Sequence, residues 1–443
     1  MDFPPVSGPG VWRMLALAKY AALAGHRVHV FCADRSFWHK RSDKSLLNQL
    51  PDSVKITRIP CVYEEDMLRM FDGWRSSSNR LKQAVGAWLY WRMDRDFPDE
   101  IFHWAVKGCL RVTLLGIRER PDAIVTSGPM HLVHAAGFLL TRVRRKTVWT
   151  MDYRDPWAVD PASGQVHPGP YQLRLMSWLE KHFLAHATWV TAVTPGFLAP
   201  LIPLIPIASS MKPKSPTVKF RVIANGHDLD PEISPAPRRT FGDGQPLVIH
   251  LNGTIQDNND VFETLFRAAV TYRSRSREAE LPPLCLSFCG IKDRVLAVAR
   301  KLGIEDAIRD HGALSQTDSQ RVSREADVLL VTVKAGLLTS GGIVPAKLYE
   351  AIALGKPILA LVPTRSDVRD ILAEDAGSLC LSPDDEPAIV DGLYRLARGL
   401  VDGSGPVGAL ATESVQHSRR ALAMNYSRKS LSAEMLELMG FSS

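Results

Sequence analysis

Short apolar segments alternate with amphipathic segments along most of this chain, and this alternation limits the folds that it can adopt. Runs such as Ala123–Thr126, Trp189–Val193 and Val328–Val333 have the length of buried strands. Segments with helical periodicity, such as Gln172–His186, stand between them. Buried strands separated by helices are typical of parallel sheets with helices on both faces. The sequence therefore predicts an α/β fold.

A proline- and serine-rich stretch divides this alternation into two halves. Four prolines stand between residues 203 and 216, and such a cluster is typical of a loop between domains. We therefore predict a first α/β domain over residues 1–203, a linker over 204–217 and a second domain over 218–425. Residues 426–443 are predicted to form a C-terminal helix that packs back on the first domain. A chain of 443 residues can build two hydrophobic cores.

The composition argues against several classes of protein. The chain is 45% hydrophobic and 23% charged, which is typical of a folded soluble protein, and no apolar run reaches the length of a membrane span. The net charge is +7, but the basic residues are dispersed, which argues against a nucleic-acid-binding protein. Such a charge suits an enzyme that handles phosphorylated substrates or works beside anionic lipid. Six scattered cysteines, without a Cys-x-x-Cys pair, and an N-terminal sequence unlike a signal peptide predict a reducing, cytosolic compartment.

The stretch Thr339–Leu361 contains the best candidate for a nucleotide-binding segment. It reads as a glycine-bearing loop, a helix opened by Pro345, a stop at Gly355 and a buried strand. Lys347 and Glu350 stand three residues apart, so they share one face of the predicted helix. An ordinary loop–helix–strand unit with a solvated Lys–Glu pair is the alternative interpretation.

The loop before this helix is suited to bind an anion. Gly341 and Gly342 allow backbone amides to approach a ligand closely, and Ile343 and Val344 continue the loop to the helix N-terminus. Together with the Lys347 and Glu350 side chains, these amides would suit a ligand that carries phosphates and a ribose.

This stretch resembles the nucleotide-sugar-binding segment of family 4 glycosyltransferases, which are retaining enzymes of the GT-B architecture. That architecture consists of two facing Rossmann-like domains with parallel sheets and a cleft between them. The resemblance implies that Glu350 bonds the ribose hydroxyls of the donor nucleotide. The family usually has another Glu eight positions earlier, where this chain has Gly342, so half of its two-glutamate motif is present.

Other motifs resemble the same family and follow in its order along the chain. They are a Gly-Pro-Gly loop, Ser127-Gly-Pro, Arg154-Asp-Pro-Trp, Asn225-Gly-His-Asp and Pro345-Ala-Lys-Leu-Tyr-Glu. In the family, a buried central strand precedes the Gly-Pro-Gly loop. This chain reaches that loop within ten residues of Met1, so we expect its start codon to lie upstream and Met1 to be an internal methionine.

The Gly-Pro-Gly loop opens a helix predicted from Val11 to Ala24. Glycine-rich turns before a helix bind phosphate through backbone amides and the helix dipole, which makes Gly8 and Gly10 candidates, with Arg13 in the first turn. A tight loop without a ligand is the alternative. The resemblance places this loop against the donor phosphates.

Two polar clusters follow predicted strands of the first domain, and open parallel sheets place ligands at the carboxyl ends of strands. Arg154 and Asp155 follow one strand, and the resemblance places them near the acceptor or the transferred sugar. An Arg–Asp pair that clamps the loop is the alternative. After the preceding strand, the family pattern favours His134 over His131 as a residue that bonds sugar hydroxyls, and structural histidines are the alternative.

A further strand end turns through Asn252, Gly253 and Thr254, whose amides are predicted to meet the pyrophosphate. Many members of the family carry an Arg and a Lys shortly after this turn, whereas this chain has Gln-Asp-Asn-Asn-Asp at 256–260. We expect Lys347 to replace those cations, with Lys334 as a weaker candidate. No arrangement of Asp, His or Cys predicts a metal site.

The segment Arg69–Trp104 combines four tryptophans with basic residues, a composition that suits a membrane interface and a lipid-linked acceptor. A helix pair buried against the first domain is the alternative.

The resemblance implies a hexosyl- or N-acetylhexosaminyl-type transferase that is independent of metal and needs no cofactor besides its donor substrate. We predict a UDP-linked donor in preference to a GDP-linked one, and a glycan or lipid-linked acceptor in polysaccharide or glycoconjugate assembly. In this scheme Arg154, Asp155 and His134 are the catalytic residues. The protein is predicted to work in the cytoplasm, at the inner face of the membrane, and no nucleic-acid partner is predicted. Two alternatives stay open: a nucleotide-sugar epimerase on the same architecture, and a non-catalytic GT-B-like binding protein, favoured by Gly342 and the missing strand.

Overall fold

The chain folds into two compact units. The first contains Met1–Asn225 and Arg428–Ser443, and the second contains Gly226–Ser427. The computed structural model describes residues 3–6, 8–34, 43–60, 64–96, 102–158, 170–204, 218–231, 245–252, 259–333 and 342–442.

We number the elements of the described residues in chain order. The strands are β1 His29–Asp34, β2 Lys55–Pro60, β3 Ala123–Ser127, β4 Val148–Tyr153, β5 Trp189–Ala192, β6 Lys219–Val222, β7 Leu247–Leu251, β8 Leu284–Phe288, β9 Ile308–Asp310, β10 Val328–Thr332, β11 Ile358–Leu361 and β12 Ser378–Leu381. The α-helices are α1 Pro9–Leu23, α2 Glu64–Arg75, α3 Arg80–Asp96, α4 Phe102–Glu119, α5 His134–Val143, α6 Pro170–Leu184, α7 Pro195–Leu198, α8 Asn259–Ser276, α9 Asp293–Lys301, α10 Gln316–Glu325, α11 Ala346–Ala353, α12 Asp367–Leu372, α13 Glu386–Asp402, α14 Gly405–Ala409, α15 Glu413–Asn425 and α16 Arg428–Leu438. Short 3-10 helices lie at Lys44–Gln49, His131–Val133 and Glu305–Ala307.

The main sheet of the first unit is parallel, with the strand order β3-β4-β5-β6. Strand β4 is buried at five of its six positions, as expected for a strand that helices cover on both faces. Strand β6 pairs with β5, with Phe220 opposite Val190, although the sequence placed β6 in the second domain. The boundary between the units therefore follows Asn225 rather than lying within 204–217.

Strands β1 and β2 form a separate parallel pair in the first unit. An apolar cavity of about 880 Å³ lies beside them, and its walls include Leu17 of α1, Val30 of β1, Val112 of α4 and Val125 of β3. Among the described residues, no strand joins β1 to β3.

The second unit is a six-stranded parallel sheet with the order β12-β11-β10-β7-β8-β9. From β7 the chain proceeds outward through β8 to β9, and it then returns to place β10 on the other side of β7. Strands β7 and β10 therefore flank the point at which the strand order reverses. Open α/β sheets form their ligand crevice at this point, outside the carboxyl ends of the strands.

Several elements differ from those that the sequence predicted. The stretch after β2, to which the sequence analysis assigned no helix or strand, contains helices α2 and α3, which pack against each other. Strands β9 and β12 were missed because β9 has three residues and both strands are only partly buried. The C-terminal helix, by contrast, lies where the sequence placed it, since α16 packs on α1 in the first unit.

We predict that two glycine-to-alanine changes in the first unit have opposite effects on stability. A Cβ at Gly137 of α5 would collide with the indole of Trp149, which is fully buried and donates to Thr126 Oγ1 at 2.8 Å. Gly137→Ala should therefore lower the free energy of unfolding by about 1–3 kcal/mol. A Cβ at Gly73 of α2 meets no atom within 4 Å. Gly73→Ala should raise stability by about 0.5–1 kcal/mol, because glycine is a poor helix former.

Urea unfolding followed by circular dichroism measures both changes. An unchanged or raised midpoint in Gly137→Ala would show that α5 can move away from β4, and it would contradict the tight packing of this helix on the sheet.

Candidate functional site

A buried carboxylate organises the carboxyl edge of the sheet in the first unit. Asp152, near the end of β4, has no exposed surface and accepts from Arg13 Nε at 3.1 Å and from Arg13 Nη2 at 2.7 Å. The hydroxyls of Ser127 and Thr191, its partners in register on β3 and β5, each donate to it at 2.7 Å. Burial raises the pKa of Asp152, but the charge of Arg13 and these hydrogen bonds outweigh burial and hold the pKa below its usual range.

Arg13 serves the fold rather than the phosphate contact that the sequence predicted. Its side chain is 5% exposed, and its guanidinium donates to Asp152 and to the carbonyl oxygen of Ala224. A side chain held by a buried carboxylate and a carbonyl has little capacity left for an external anion. Arg13 therefore ties α1 to β4 and to the segment after β6.

Arg154, two residues after Asp152, lies against the amino end of α1. Its Nε donates to the carbonyl oxygen of Gly128, and its guanidinium crosses the backbone of Gly10 so closely that a Cβ at position 10 would collide with it. Gly8 is the N-cap of α1, and the amides of Val11 and Trp12 bond its carbonyl oxygen. A guanidinium beside the positive end of a helix dipole is an arrangement that attracts an anion.

The two candidate histidines lie inside the protein. His134 has no exposed surface, and its Nδ1 lies 2.8 Å from Thr126 Oγ1 and its Nε2 3.2 Å from His131 Nδ1. Burial, followed by the charge of His131, holds the pKa of His134 well below 6.5. Burial, assisted by the charge of Arg154, lowers the pKa of His131 to about 3. The prediction that His134 bonds a sugar is corrected, since this neutral ring is enclosed by protein.

The loop after β4 combines an exposed carboxylate with a buried aromatic ring. Asp155 is exposed, whereas Trp157 is 7% exposed and stacks on His131 at 5.4 Å between ring centroids. Beneath the loop, Glu180 of α6 accepts from the hydroxyl of Tyr153 at 3.0 Å. Asp155 is therefore presented to solvent by a loop whose base is packed in the core.

In the second unit, three polar side chains meet at the reversal point of the sheet. Asn252, directly after β7, donates through Nδ2 to Glu350 Oε2 of α11 at 3.3 Å, and it accepts a hydrogen bond from the hydroxyl of Ser319 on α10. Helix α11 begins after its N-cap Pro345, and Gly355 adopts a positive φ of 64° after its end, as the sequence predicted. The half-buried carboxylate of Glu350 is thereby held at the crevice.

Lys347 lies one turn before Glu350 on the same helix and is half-buried. Burial lowers its pKa from 10.5 to about 8, although the charges of Glu350 and Cys289 oppose this shift. Gly342 is buried, and Ile343 and Val344 lead from it to the helix. The candidates Gly253, Thr254, Gly341 and Lys334 lie outside the described residues.

Comparison with known proteins agrees with this geometry. Residues 10–207 match the family model described as a glycosyl transferase 4-like domain. The chain has the GT-B fold, and its residues 10–207 resemble a glycosyl transferase 4-like domain. This confirms the predicted family resemblance and the predicted α/β fold with two Rossmann-like domains. No curated protein matches the sequence at a significant level.

Solved structures of glycosyltransferases have the same fold as this GT-B protein over nearly its whole length. A glycosyltransferase from Rickettsia africae has 14% identity and a TM-score of 0.60, with 98% of this chain and 96% of that chain covered. Anabaena HepE in complex with UDP has 13% identity and a TM-score of 0.59, with 99% and 98% covered. The lipopolysaccharide outer core galactosyltransferase WaaB has 13% identity and a TM-score of 0.56, with 99% and 98% covered.

A chain of polar residues behind the GT-B crevice was missed by the sequence analysis. Fully buried His250 of β7 has Nδ1 3.0 Å from Ser287 Oγ, which in turn lies 3.0 Å from His311 Nε2. On its other side, His250 Nε2 lies 3.7 Å from Cys289 Sγ. Burial, and then the charge of His311, lowers the pKa of His250 to about 4, so this histidine is neutral. Polar residues within an apolar strand were the available signal for this network.

The described residues contain no group of three or more His, Cys, Asp or Glu side chains that could hold a metal ion. The five described cysteines are all free thiols. None of the described helices combines the length and the apolar character needed to cross a membrane.

We predict that Glu180 makes the stability of the GT-B protein depend on pH. Burial raises the pKa of Glu180 from 4.5 to about 7, although the hydrogen bond from Tyr153 and the backbone of Ala158 oppose this shift. Between pH 4.5 and about 7, Glu180 is therefore protonated in the folded protein and deprotonated in the unfolded chain. Stability from this group is therefore complete below pH 4.5 and is lost as pH rises to about 7, a loss of about 3 kcal/mol.

Glu180→Gln imitates the protonated carboxyl at every pH, so it should remove this part of the pH dependence and stabilise the protein at pH 8. Urea unfolding at pH 5 and pH 8 measures the effect, with Glu278→Gln on the exposed end of the α8 region as the matched control. If Glu180→Gln and the parent protein lose equal stability between these pH values, Glu180 does not hold the proton in the folded protein and the prediction is wrong.

Proposed function

We propose that this protein is a retaining glycosyltransferase that moves a sugar from a UDP-linked donor to a glycan or lipid-linked acceptor. The family 4-like domain and the GT-B fold support a glycosyltransferase. The observation that carries the donor assignment is the Asn252–Glu350 pair at the reversal point of the second sheet. HepE, which shares the fold, was solved in complex with UDP.

In this proposal the second unit binds the donor nucleotide. The Glu350 carboxylate, oriented by Asn252, accepts from the ribose hydroxyls. Lys347, whose pKa is about 8, is mainly protonated at neutral pH and faces the diphosphate. The backbone amides of Asn252, Gly342, Ile343 and Val344 are proposed to complete the phosphate site.

The first unit supplies the acceptor side. Arg154 beside the amino end of α1, with the amides of Gly8 and Gly10, gives this unit a positively charged position that suits a phosphate. Asp155 is exposed two residues after β4 and orients a sugar hydroxyl. His131 and His134 support this loop from within, because both rings are buried and neutral.

The reaction breaks the bond between the anomeric carbon and the phosphate oxygen, and UDP leaves with the bonding electron pair. The acceptor hydroxyl attacks from the same face, which retains the configuration, and its proton passes to the departing phosphate. The protein contributes by orienting the acceptor and by stabilising the negative charge of the phosphate, without a metal ion. A hexosyl or N-acetylhexosaminyl group is the proposed cargo.

We also propose a cytoplasmic protein at the inner face of the membrane, in polysaccharide or glycoconjugate assembly. Helices α2 and α3 contain most of the segment Arg69–Trp104, and α2 exposes Met70 while α3 exposes Leu81 and Trp88. WaaB, whose name describes a lipopolysaccharide galactosyltransferase, shares the fold. The proposal includes no nucleic-acid partner.

Glu350→Ala should weaken UDP binding by about 1–3 kcal/mol, which is the scale for a lost hydrogen bond to a charged group. The dissociation constant measured by calorimetric titration should therefore rise by about fivefold to 150-fold. Glu278→Ala, on the exposed surface of the same unit, should leave it unchanged. Equal UDP affinity in Glu350→Ala and the parent would remove Glu350 from the site, and a flat titration of the parent with UDP and GDP would favour a non-catalytic protein.

Ser319→Ala should weaken UDP binding indirectly, through its effect on Asn252 and Glu350. The Ser319 hydroxyl donates to Asn252 Oδ1, and this bond directs the amide of Asn252 towards Glu350. Without this bond the amide is free to rotate, and the dissociation constant should rise by about threefold to tenfold, the scale of one neutral hydrogen bond. In the Glu350→Ala background, Ser319→Ala should have no further effect. Additive losses would show that Ser319 acts independently of the carboxylate.

A further inference from the structure

Helices α4, α5 and α6 expose an unusual set of side chains. Every described residue that these helices expose is either apolar or cationic. The apolar members are Val106, Leu110, Leu114, Ile117, Leu139, Val143, Tyr171, Leu173, Leu175 and Trp178, and the cationic members are Lys107, Arg111, Arg118, Arg142 and Arg174. We call the surface formed by these residues the α4–α6 face.

The outward side of α4 shows this pattern most clearly. Val106, Leu110, Leu114 and Ile117 follow one another at intervals of four, four and three residues, so they form one stripe along the helix. Leu110 is 57% exposed and Leu114 is 67% exposed. A contiguous apolar surface of this kind on a folded protein marks a site of interaction with a membrane or another protein.

The acidic residues of the three helices do not face outward with these cations. Among the described residues of α4, α5 and α6, Glu119 and Glu180 are the acidic ones. Glu180 is 1% exposed, in the core. Glu119 accepts from Lys55 Nζ at 2.9 Å and lies 2.8 Å from His29 Nδ1, on the side of β1 and β2. The positive charge of the α4–α6 face is therefore not balanced by carboxylates of its own helices.

The three helices form one continuous surface. A Cβ at Gly116 of α4 would meet the side chain of Leu140 of α5, so these helices pack closely. Phe138 of α5 lies 5.5 Å from Phe183 of α6, between ring centroids. The exposed sides of the helices therefore adjoin one another in the first unit.

The second unit has no comparable surface among its described residues. Its exposed large hydrophobic side chains are Val270 and Met424, on different helices. Its long helices also mix charges, since exposed Glu263 stands on α8 and exposed Asp391 stands on α13. The pattern of the α4–α6 face is therefore a local feature rather than a property of the whole protein.

We propose that the α4–α6 face docks on an anionic lipid bilayer. Helices that carry Leu and Trp on one side and Lys or Arg beside them lie in the bilayer interface, where the apolar side chains are buried and the cations meet lipid phosphates. Tyr171 and Trp178 have the amphipathic rings that are enriched at that depth. The proposal deepens the membrane contact suggested for Arg69–Trp104, and it does not depend on nucleotide binding.

Other occupants fit the α4–α6 face less well. In a symmetric pair, the same face of a second copy would bring cations against cations. A nucleic acid would meet the arginines but would leave the leucine and valine stripe in water. A bilayer with anionic headgroups satisfies both kinds of side chain at once.

Flotation of the full-length protein with lipid vesicles tests the proposal. The vesicles contain phosphatidylcholine alone, or phosphatidylcholine mixed with phosphatidylglycerol. Binding should require the anionic lipid and should weaken as salt is raised, because screening reduces the attraction of surface charges. Equal binding to both kinds of vesicle, or binding to neither, would overturn the proposal.

Two pairs of substitutions separate the apolar and the cationic contributions. Arg111→Ala with Arg118→Ala should weaken partition onto anionic vesicles by about 25-fold, since each arginine near such a surface contributes about fivefold. Leu110→Ser with Leu114→Ser should weaken it by at least about tenfold, because two side chains lose apolar contact. The matched control is Val270→Ser with Arg398→Ala in the second unit, which should bind vesicles like the parent.

Two further measurements decide between the surfaces. If Trp88→Ala abolishes vesicle binding while the α4–α6 variants retain it, docking occurs through α3 and the proposal is wrong. If ultracentrifugation shows a dimer that Leu110→Ser with Leu114→Ser dissociates, the face is an interface between copies and the proposal is again wrong. UDP titration of each variant should match the parent, which shows that the variants are folded and separates this test from that of the donor site.

Discussion

The ion pair between Asp152 and Arg13 is the interaction on which the first unit depends. Asp152 stands in register with Ser127 and Thr191, so three neighbouring strands and helix α1 meet at a single carboxylate. A buried charge is tolerated only when its partners remain in place, and removing one partner of such a pair typically costs about 3–5 kcal/mol. This requirement fixes the amino end of α1 against the carboxyl edge of the sheet. It thereby sets the position of Gly10, against which Arg154 lies.

In the second unit, the contact that joins the sheet to its helices at the reversal point is made mainly by neutral groups. Asn252 joins β7 to α10 and α11 through an amide, a hydroxyl and one half-buried carboxylate. The amide and the hydroxyl carry no charge, so they orient Glu350 without neutralising it, and the charged partner nearby is Lys347 on the same helix. In the first unit the buried carboxylate of Asp152 stabilises the fold, whereas in the second unit the carboxylate of Glu350 lies at the crevice. This difference agrees with the proposed division between an acceptor side and a donor side.

The sequence predicted most of the fold because parallel strands covered on both faces are continuous apolar runs. It misplaced β6, whose residues alternate between exposed and half-buried positions, because the nearby prolines drew the boundary to the wrong side of this strand. Local spacing placed Lys347 and Glu350 on one helix. It could not reveal that Arg13 is held by a residue 139 positions away, or that Ser319 orients Asn252 across 67 positions. Such pairings depend on the order of strands in the sheet, which local patterns do not contain.

The alternation of side chains along β4 has a consequence for how the first unit responds to its surroundings. Asp152 and Tyr153 are neighbours in the chain, so they point to opposite faces of the sheet. One face carries the carboxylate that Arg13 keeps ionised, and the other carries Glu180, whose pKa is about 7. Strand β4 thus separates a face of the sheet whose carboxylate stays ionised from a face whose carboxyl group can be protonated. A shift in acidity can rearrange the α6 side of the sheet while the α1 side, with its arginine beside Gly10, retains its geometry.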